Sequence, residues 1–397
     1  MKLAETELPV SQQNKNIIRL ATAQALAGAN SVVFYATGAI VGNAIAPSST
    51  LATLPVTVFV LGMAACILPF GALARRHGRR AAFMTGTALG VLTGLTAALA
   101  VVLGTFTLFC LAAFMGGAYA AVALSFRFAA TDGVGKERRA RALSLVMGGG
   151  VAAGVLGPML VTATLDLWPA HTFAVTFLAQ AAVAALSALV LMGVTSPPPT
   201  PEAASGGRPL SDIVRQPGFA RTVFGGAISY MVMNFLMTAA PLSMHMHGIS
   251  LQASNLGLQW HVIAMYGPGF FTGKLINRFG ANQVGAAGLL ITALSVAAGL
   301  SGTGVVHYWV SLILLGLGWN FGFTGASAKI IDFHRPEEKN RVQSLNDFIV
   351  FGVMIVGSFS SGALLNAFGW NAVLWGSLVP VGVAFLAIIH KGVSGVR

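Results

Sequence analysis

The sequence predicts an all-α membrane protein of twelve transmembrane helices, arranged as two pseudo-symmetric six-helix halves. Three observations carry that expectation: composition, the recurrence of long apolar runs, and the placement of positive charge between them. Of the 397 residues, 55% are hydrophobic and only 9% charged, and the mean hydropathy is +0.78. Soluble domains carry roughly 25% charged residues, so this chain has too few to coat a surface facing water. Its apolar runs are about 20 residues or longer, enough to cross about 30 Å of hydrocarbon.

Those runs fall at roughly 17–43, 50–74, 81–102, 105–130, 142–165, 170–194, 219–246, 252–275, 283–301, 306–331, 342–366 and 370–390. Between the sixth and seventh, the stretch from Thr195 to Gly207 is rich in Pro, Ser and Gly, a flexible linker by composition. It divides the chain into an N-terminal half (1–194), a linker (195–218) and a C-terminal half (219–397). The 23 Lys and Arg residues lie in the two tails, in the even-to-odd loops (2–3, 4–5, 6–7, 8–9, 10–11) or at the helix ends beside them. The intervening loops have none. By the positive-inside rule, both termini and the linker are cytoplasmic. Trp168, Trp309 and Trp370 mark the opposite face, where an aromatic belt belongs.

The net charge of +12 and the cluster Arg75-Arg76-His77-Gly78-Arg79-Arg80 are therefore topology signals, and no nucleic-acid partner is expected. Cys66 and Cys110 sit inside apolar runs without a CxxC partner and read as small core residues. Residues 1–16 are polar and do not make a cleavable signal peptide. No catalytic constellation is visible, so the chain is not expected to be an enzyme and no cofactor is implied.

The halves repeat. Asp132, Glu137, Arg141, Ser144 and Leu145 recur 200 residues on as Asp332, Glu337, Arg341, Ser344 and Leu345. Gly71, Arg76 and Gly78 recur 202 residues on as Gly273, Arg278 and Gly280. Parallel repeats about an axis along the membrane normal are a transporter design, with the substrate held near midplane between the halves. The segment Gly71-Ala-Leu-Ala-Arg75-Arg76-His-Gly78-Arg79-Arg80 resembles the loop 2–3 signature of the major facilitator superfamily, with Arg75 where that signature has Asp. This resemblance covers the whole chain. It implies the major facilitator fold and a conformational latch at Gly71, Arg76, Gly78, Arg79, Asp132 and Arg141, repeated at Gly273, Arg278, Gly280, Asp332 and Arg341.

Ionisable residues inside spans are the default functional candidates. Arg127 and Asp347 lie a turn or two from cytoplasmic helix ends and read as snorkelling or gating groups. Sulfur and imidazole stand out more. Residues 231–265 hold six of the fourteen Met and three of the eight His. Met233 and Met237 are four apart on span seven, and His261 and Met265 four apart on span eight, so each pair shares a helix face. Counted from the facing helix ends, Met237 and His261 are each about nine residues deep and Met233 and Met265 about thirteen, around mid-bilayer at 1.5 Å per residue. Three thioethers and one imidazole form a soft ligand set that suits Cu(I). Above them, Met244-His245-Met246-His247 forms a possible capture site at the periplasmic mouth. Gap-filling methionine in a helical core and an organic-solute cavity lined by Asn30, Tyr35, Asn234, Trp260, Tyr266 and Asn320 are the competing readings of the same region. The glycines Gly148, Gly149, Gly150, Gly154 and Gly157 of span five, and Gly316, Gly318, Gly322 and Gly325 of span ten, read as conformational.

Met233-xxx-Met237 with His261-xxx-Met265, and the text around them, is similar to the CcoA-type copper importers, a bacterial branch of the superfamily whose neighbours include riboflavin transporters. That resemblance implies copper as the transported substrate, ligated by Met233, Met237, His261 and Met265. It further implies uptake across the bacterial inner membrane by alternating access, and supply of cbb3-type cytochrome c oxidase assembly. A cytoplasmic copper chaperone or thiol would take the ion, and the chain would act as a monomer. The alternative is a transporter of an organic solute such as riboflavin or a drug.

Overall fold

The computed structural model describes residues 8–132, 134–195, 207–335 and 338–389, and every regular element among them is helical. A segment crossing hydrocarbon must satisfy its backbone polar groups internally, and the apolar runs do so as helices. In chain order these are α1 (Val10–Ile45), α2 (Leu54–His77), α3 (Arg79–Leu103), α4 (Phe106–Ala123), the single turn α5 (Phe126–Ala129), α6 (Lys136–Thr164) and α7 (Ala174–Met192). A short α8 (Leu210–Val214) leads into α9 (Phe219–Met246), α10 (Leu251–Tyr266), α11 (Gly269–Phe279), α12 (Ala281–Leu300), α13 (Val305–Ile330) and α14 (Lys339–Ile389). The predicted linker residues 196–206 and Glu337 lie outside the described residues, as does the side chain of Arg75.

Among the described residues, ten helices are long and apolar enough to span a bilayer, against twelve runs in the sequence, and two local features explain the difference. The run 252–275 is broken at Gly267-Pro268 into α10 and α11, because a proline within a helix removes a backbone donor. Asn320 on α13 repairs the break: its amide donates to the Met265 carbonyl at 2.6 Å and its oxygen accepts from Thr272 at 2.6 Å. Conversely, the two runs expected at 342–366 and 370–390 are two helices that meet directly at a kink at Gly369 (φ 78°, ψ −178°), with no loop between them, and are taken together as α14.

Two other turns use the same conformation. Gly78 (φ 84°, ψ 161°) joins α2 to α3, and Gly280 (φ 92°, ψ 151°) joins α11 to α12. This region of backbone space is essentially restricted to glycine, and a Cβ at Gly78 would meet nothing within 4 Å. Conformation, not crowding, demands glycine there.

Within the first seven helices α1 packs on α6, α2 on α4, and α3 on α7; further along, α9 packs on α14 and α13, and α12 and α10 on α13. The two groups meet along α6–α10, α2–α14 and α1–α9. These crossings are close. A Cβ on Gly154 or Gly150 of α6 would press on Val262 or the Tyr266 ring of α10 at 2.9 and 2.8 Å, and one on Gly149 would strike the Ala21 carbonyl of α1 at 2.4 Å. On α2–α14, Thr57 donates to Ser358 at 3.2 Å, and from α14 Asn366 donates to the Ser49 carbonyl in the turn before α2 at 2.8 Å.

Candidate functional site

The α9 helix turns a polar stripe toward α1. Tyr230, Asn234 and Thr238 are spaced by four residues and so share a face. Tyr35 of α1 donates to the Asn234 carbonyl oxygen at 2.8 Å, while the Asn234 amide nitrogen and the Thr238 hydroxyl are buried with no hydrogen-bond partner. Buried polar atoms are almost always paired, so this stripe keeps unused bonding capacity.

Around Tyr230 stands a wall of rings. Its phenol meets Trp319 at 5.3 Å, Phe323 at 5.0 Å and Phe351 at 5.7 Å between centroids. Tyr266 meets Trp319 at 6.0 Å, Trp319 stacks on Phe323 at 5.5 Å, and Tyr35 meets Phe59 at 5.6 Å. The indole nitrogen of Trp319 is also buried without a partner. These rings come from α9, α10, α13 and α14, with α1 and α2 completing the site from the other half of the chain. Flat apolar faces beside unspent donors suit a flat solute with polar edges.

The sulfur and imidazole residues lie beside this stripe. Met233, Met237, His261 and Met265 are all at most 6% exposed, and the three methionines belong to one continuous apolar core. Met237 and His261 stand nine and ten residues from the facing ends of α9 and α10. His261 Nδ1 lies 2.7 Å from the Leu312 carbonyl of α13. A carbonyl only accepts, so Nδ1 carries the proton and Nε2 keeps its lone pair; Nε2 is buried and unpartnered. Met244 points inward, fully buried, whereas His245, Met246 and His247 are exposed. The four therefore do not form one face. His247 Nδ1 contacts the Ser243 carbonyl at 2.8 Å and the Tyr308 hydroxyl at 3.2 Å. Among the described residues, no three His, Cys, Asp or Glu side chains gather as metal-ligating groups, so a metal site here would rest on thioethers.

Of the other cavity candidates, Trp260 is 45% exposed on the outside of α10 and Asn320 is spent on the helix break, while Tyr266 joins the rings. Asn30 lies elsewhere: its amide donates to the Leu26 carbonyl at 3.2 Å. The importance of Tyr230, Trp319, Phe323 and Phe351 was not read from the sequence; their common signal is aromatic residues on span faces, which core packing also produces. A separate groove of about 680 Å³ runs between α9 and both parts of α14, lined by apolar groups such as Met231, Phe359 and Phe368. It lacks the polar atoms of the α9 stripe.

The latch residues close unequally. Arg79 and Asp132 form a bidentate ion pair across the α3 and α5 ends. The residue matching Arg79 in the repeat is Ala281, so Asp332 pairs instead with Lys329, one turn away, at 2.8 Å. Arg278 lies over its neighbour Phe279, and Arg76, Arg141 and Arg341 are exposed. Gly71 is half-buried at the end of α2, and Gly273 sits in α11 with open space where a Cβ would be. A second tie went unread in the sequence. Glu338 is buried and receives both Arg208 Nε (3.0 Å) and Nη2 (2.8 Å), with the Arg208 and Arg335 backbone amides at 2.8 and 2.9 Å. The Arg208 guanidinium and those amides hold its carboxyl well below the usual carboxylate range.

Comparison with known proteins agrees with this architecture. The chain is 43% identical, over 91% of its length and 92% of the relative's, to the riboflavin transporter RfnT of Brucella anthropi. It is 28% identical to the uncharacterized MFS-type transporter YdeG of Bacillus subtilis (91% and 88% covered) and 27% identical to YddS of the same organism (89% and 84%). None of these relatives supports the copper, metal-binding or oxidase-assembly expectations. The sequence pattern of the Major Facilitator Superfamily matches residues 20–270 and 222–392, so this chain belongs to that superfamily and is a multi-pass membrane transporter.

Proposed function

We propose that the chain transports a flavin-type solute, a flat heteroaromatic ring system with polar edges, across the bacterial inner membrane. One observation carries the reading: the aromatic wall at Tyr230, Trp319 and Tyr266 flanks unpartnered polar atoms on Asn234, Thr238 and Trp319. The full-length similarity to a riboflavin transporter points to the same class. Stacking would hold the ring system, and the amide, hydroxyl and indole groups would meet its carbonyl and ring-nitrogen edges. Titrating riboflavin with the purified protein tests this by quenching of flavin fluorescence. Tyr230→Ala should weaken binding roughly tenfold, the value of one aromatic contact of about 1.4 kcal/mol. Absence of saturable quenching by the intact protein would refute the reading.

Copper import is the second reading, favoured by a specific observation: the buried Nε2 lone pair of His261. A carbonyl that fixes the other nitrogen is the usual support of a metal-bound imidazole. Met233, Met237 and Met265 would complete the soft set, and His245–His247 would collect the ion outside. Copper accumulation by the intact chain that is lost in both Met233→Ala and His261→Ala, with no riboflavin uptake by any of the three, would favour this reading over the flavin one.

A further inference from the structure

Among the described residues, four hydrogen bonds join residues 1–194 to residues 219–397, and they are unevenly placed. Three lie at the end of the bundle opposite the chain termini, the outer end by the positive-inside rule. Thr57 meets Ser358 three residues beyond the start of α2, and Asn366 meets Ser49 three residues before the Gly369 kink. Asn255, four residues beyond the start of α10, donates to Thr162 near the end of α6 at 3.2 Å. Gly362 of α14 also leaves no room for a Cβ beside Thr53. The outer end is therefore closed in this structure, by short polar side chains close to helix ends.

The fourth bond is deeper. Tyr35 of α1 donates to Asn234 Oδ1 of α9 at 2.8 Å. The two residues stand ten and twelve positions from the outer ends of their helices, about 15 and 18 Å down at 1.5 Å per residue. Each partner travels with its own half. α1 packs on α6 and α7, with the Tyr35 ring against Phe59 of α2 at 5.6 Å. α9 packs on α14 and α13, and Ser361 of α14 donates to the Phe235 carbonyl beside Asn234 at 2.6 Å. The repeat does not generate the bond: the residue 200 after Tyr35 is Phe235, and the residue 200 before Asn234 is Phe34. Asn234 is fully buried with Nδ2 unpartnered, and Thr238, one turn toward the outer end, buries an unpartnered hydroxyl. Buried polar atoms left unpaired oppose the closed arrangement, so the Tyr35 bond works against a standing cost of closure.

We propose that the Tyr35–Asn234 hydrogen bond is the floor of the outer gate, made when the site closes to the outside and broken each time it opens. Rocking of one half against the other parts α1 from α9 at the outer end, and a direct bond across that seam does not survive the parting. Once it breaks, water reaches Asn234 and Thr238 and satisfies their unpaired atoms. When it reforms, Tyr35 occupies the Asn234 oxygen and leaves only the N–H donors of that amide for a solute. The solute edge that Asn234 holds through closure is then a hydrogen-bond acceptor, such as a ring carbonyl. That last step rests on the organic-solute reading; the gate itself does not.

The test reads the gate without a solute. In a chain with Cys66 and Cys110 replaced by Ala, Thr238→Cys places a thiol one turn outward of Asn234, beneath the closed end. A membrane-impermeant maleimide added outside spheroplasts reaches that thiol only when the outer end opens, so the labelling rate measures the open population. Tyr35→Phe keeps the ring and its contact with Phe59 but removes the donor. It should speed labelling roughly fivefold, the value of one net hydrogen bond. In an Asn234→Leu background, where the bond is already gone, Tyr35→Phe should add nothing. An unchanged rate in Tyr35→Phe overturns the proposal, as does an equal acceleration with and without Asn234, or no labelling in any variant. A merely structural tie would lower the unfolding midpoint of Tyr35→Phe and leave its labelling rate where it was. These rates do not depend on riboflavin being carried, so failure of the flavin reading and failure of this one are separate results.

Discussion

Tyr230 touches three rings from two other helices while its helix neighbours Asn234 and Thr238 hold unpaired polar atoms, so the site is assembled from contacts distant in sequence. That is why the Met and His residues were legible in the sequence and the ring wall was not. An i, i+4 pair can be read from one helix, whereas Tyr230 and Phe351 come together only when α9 and α14 pack. The same limit hid Glu338. Its neighbour Glu337 attracted attention through the repeat, yet Glu338 is the residue that clasps Arg208. This clasp fixes the end of the linker to the α13–α14 turn and sets a pH expectation. A carboxyl held below its usual range stabilises the tie at every pH above the unfolded value of about 4.3, and the tie is lost only as pH falls through the lower folded value. Cleavage by added protease between 196 and 206 should therefore be equally slow at pH 7 and pH 5. Glu338→Gln should speed it at pH 7; equal rates in the variant would show that the clasp does not restrain the linker.

Helices follow the apolar runs closely, and their ends depart where backbone chemistry intervenes. The α9 helix begins and ends at the expected Phe219 and Met246, because its polar flanks mark it clearly. Span eight divides because Gly267-Pro268 breaks the hydrogen-bond ladder, and only the fold reveals that Asn320 repairs it. The glycines of α6 were legible as a close-packing surface but not as two surfaces, one toward α1 and one toward α10. Gly78 offers the sharpest test at this scale. Gly78→Ala forces a side chain into backbone space that non-glycine residues avoid, at a cost of about 1–3 kcal/mol. Its thermal unfolding midpoint in detergent should fall. Gly273→Ala, inside α11 with open space around it, should be neutral or slightly stabilising, by up to about 1 kcal/mol. Equal destabilisation of the two would contradict the conformational account of the turn.

Composition alone made the molecule a membrane protein, and the repeat with its signature made it a major facilitator; the fold and the family match agree with both. The repeat is imperfect where it bears on motion: Arg79 holds Asp132, while Ala281 leaves Asp332 to Lys329. Identity of the solute was the least legible property, because the same few turns of α9 and α10 carry a soft-ligand set on one stripe and a polar stripe beside rings on another. The most direct test is accumulation of labelled riboflavin and of radioactive copper, measured side by side in cells starved of each. The cells would carry the intact chain, Tyr230→Ala or Met233→Ala/His261→Ala at equal abundance. The account predicts riboflavin accumulation by the intact chain, reduced in Tyr230→Ala and kept in the double variant. Copper accumulation that depends on Met233 and His261, with no riboflavin uptake by any of the three, would contradict it.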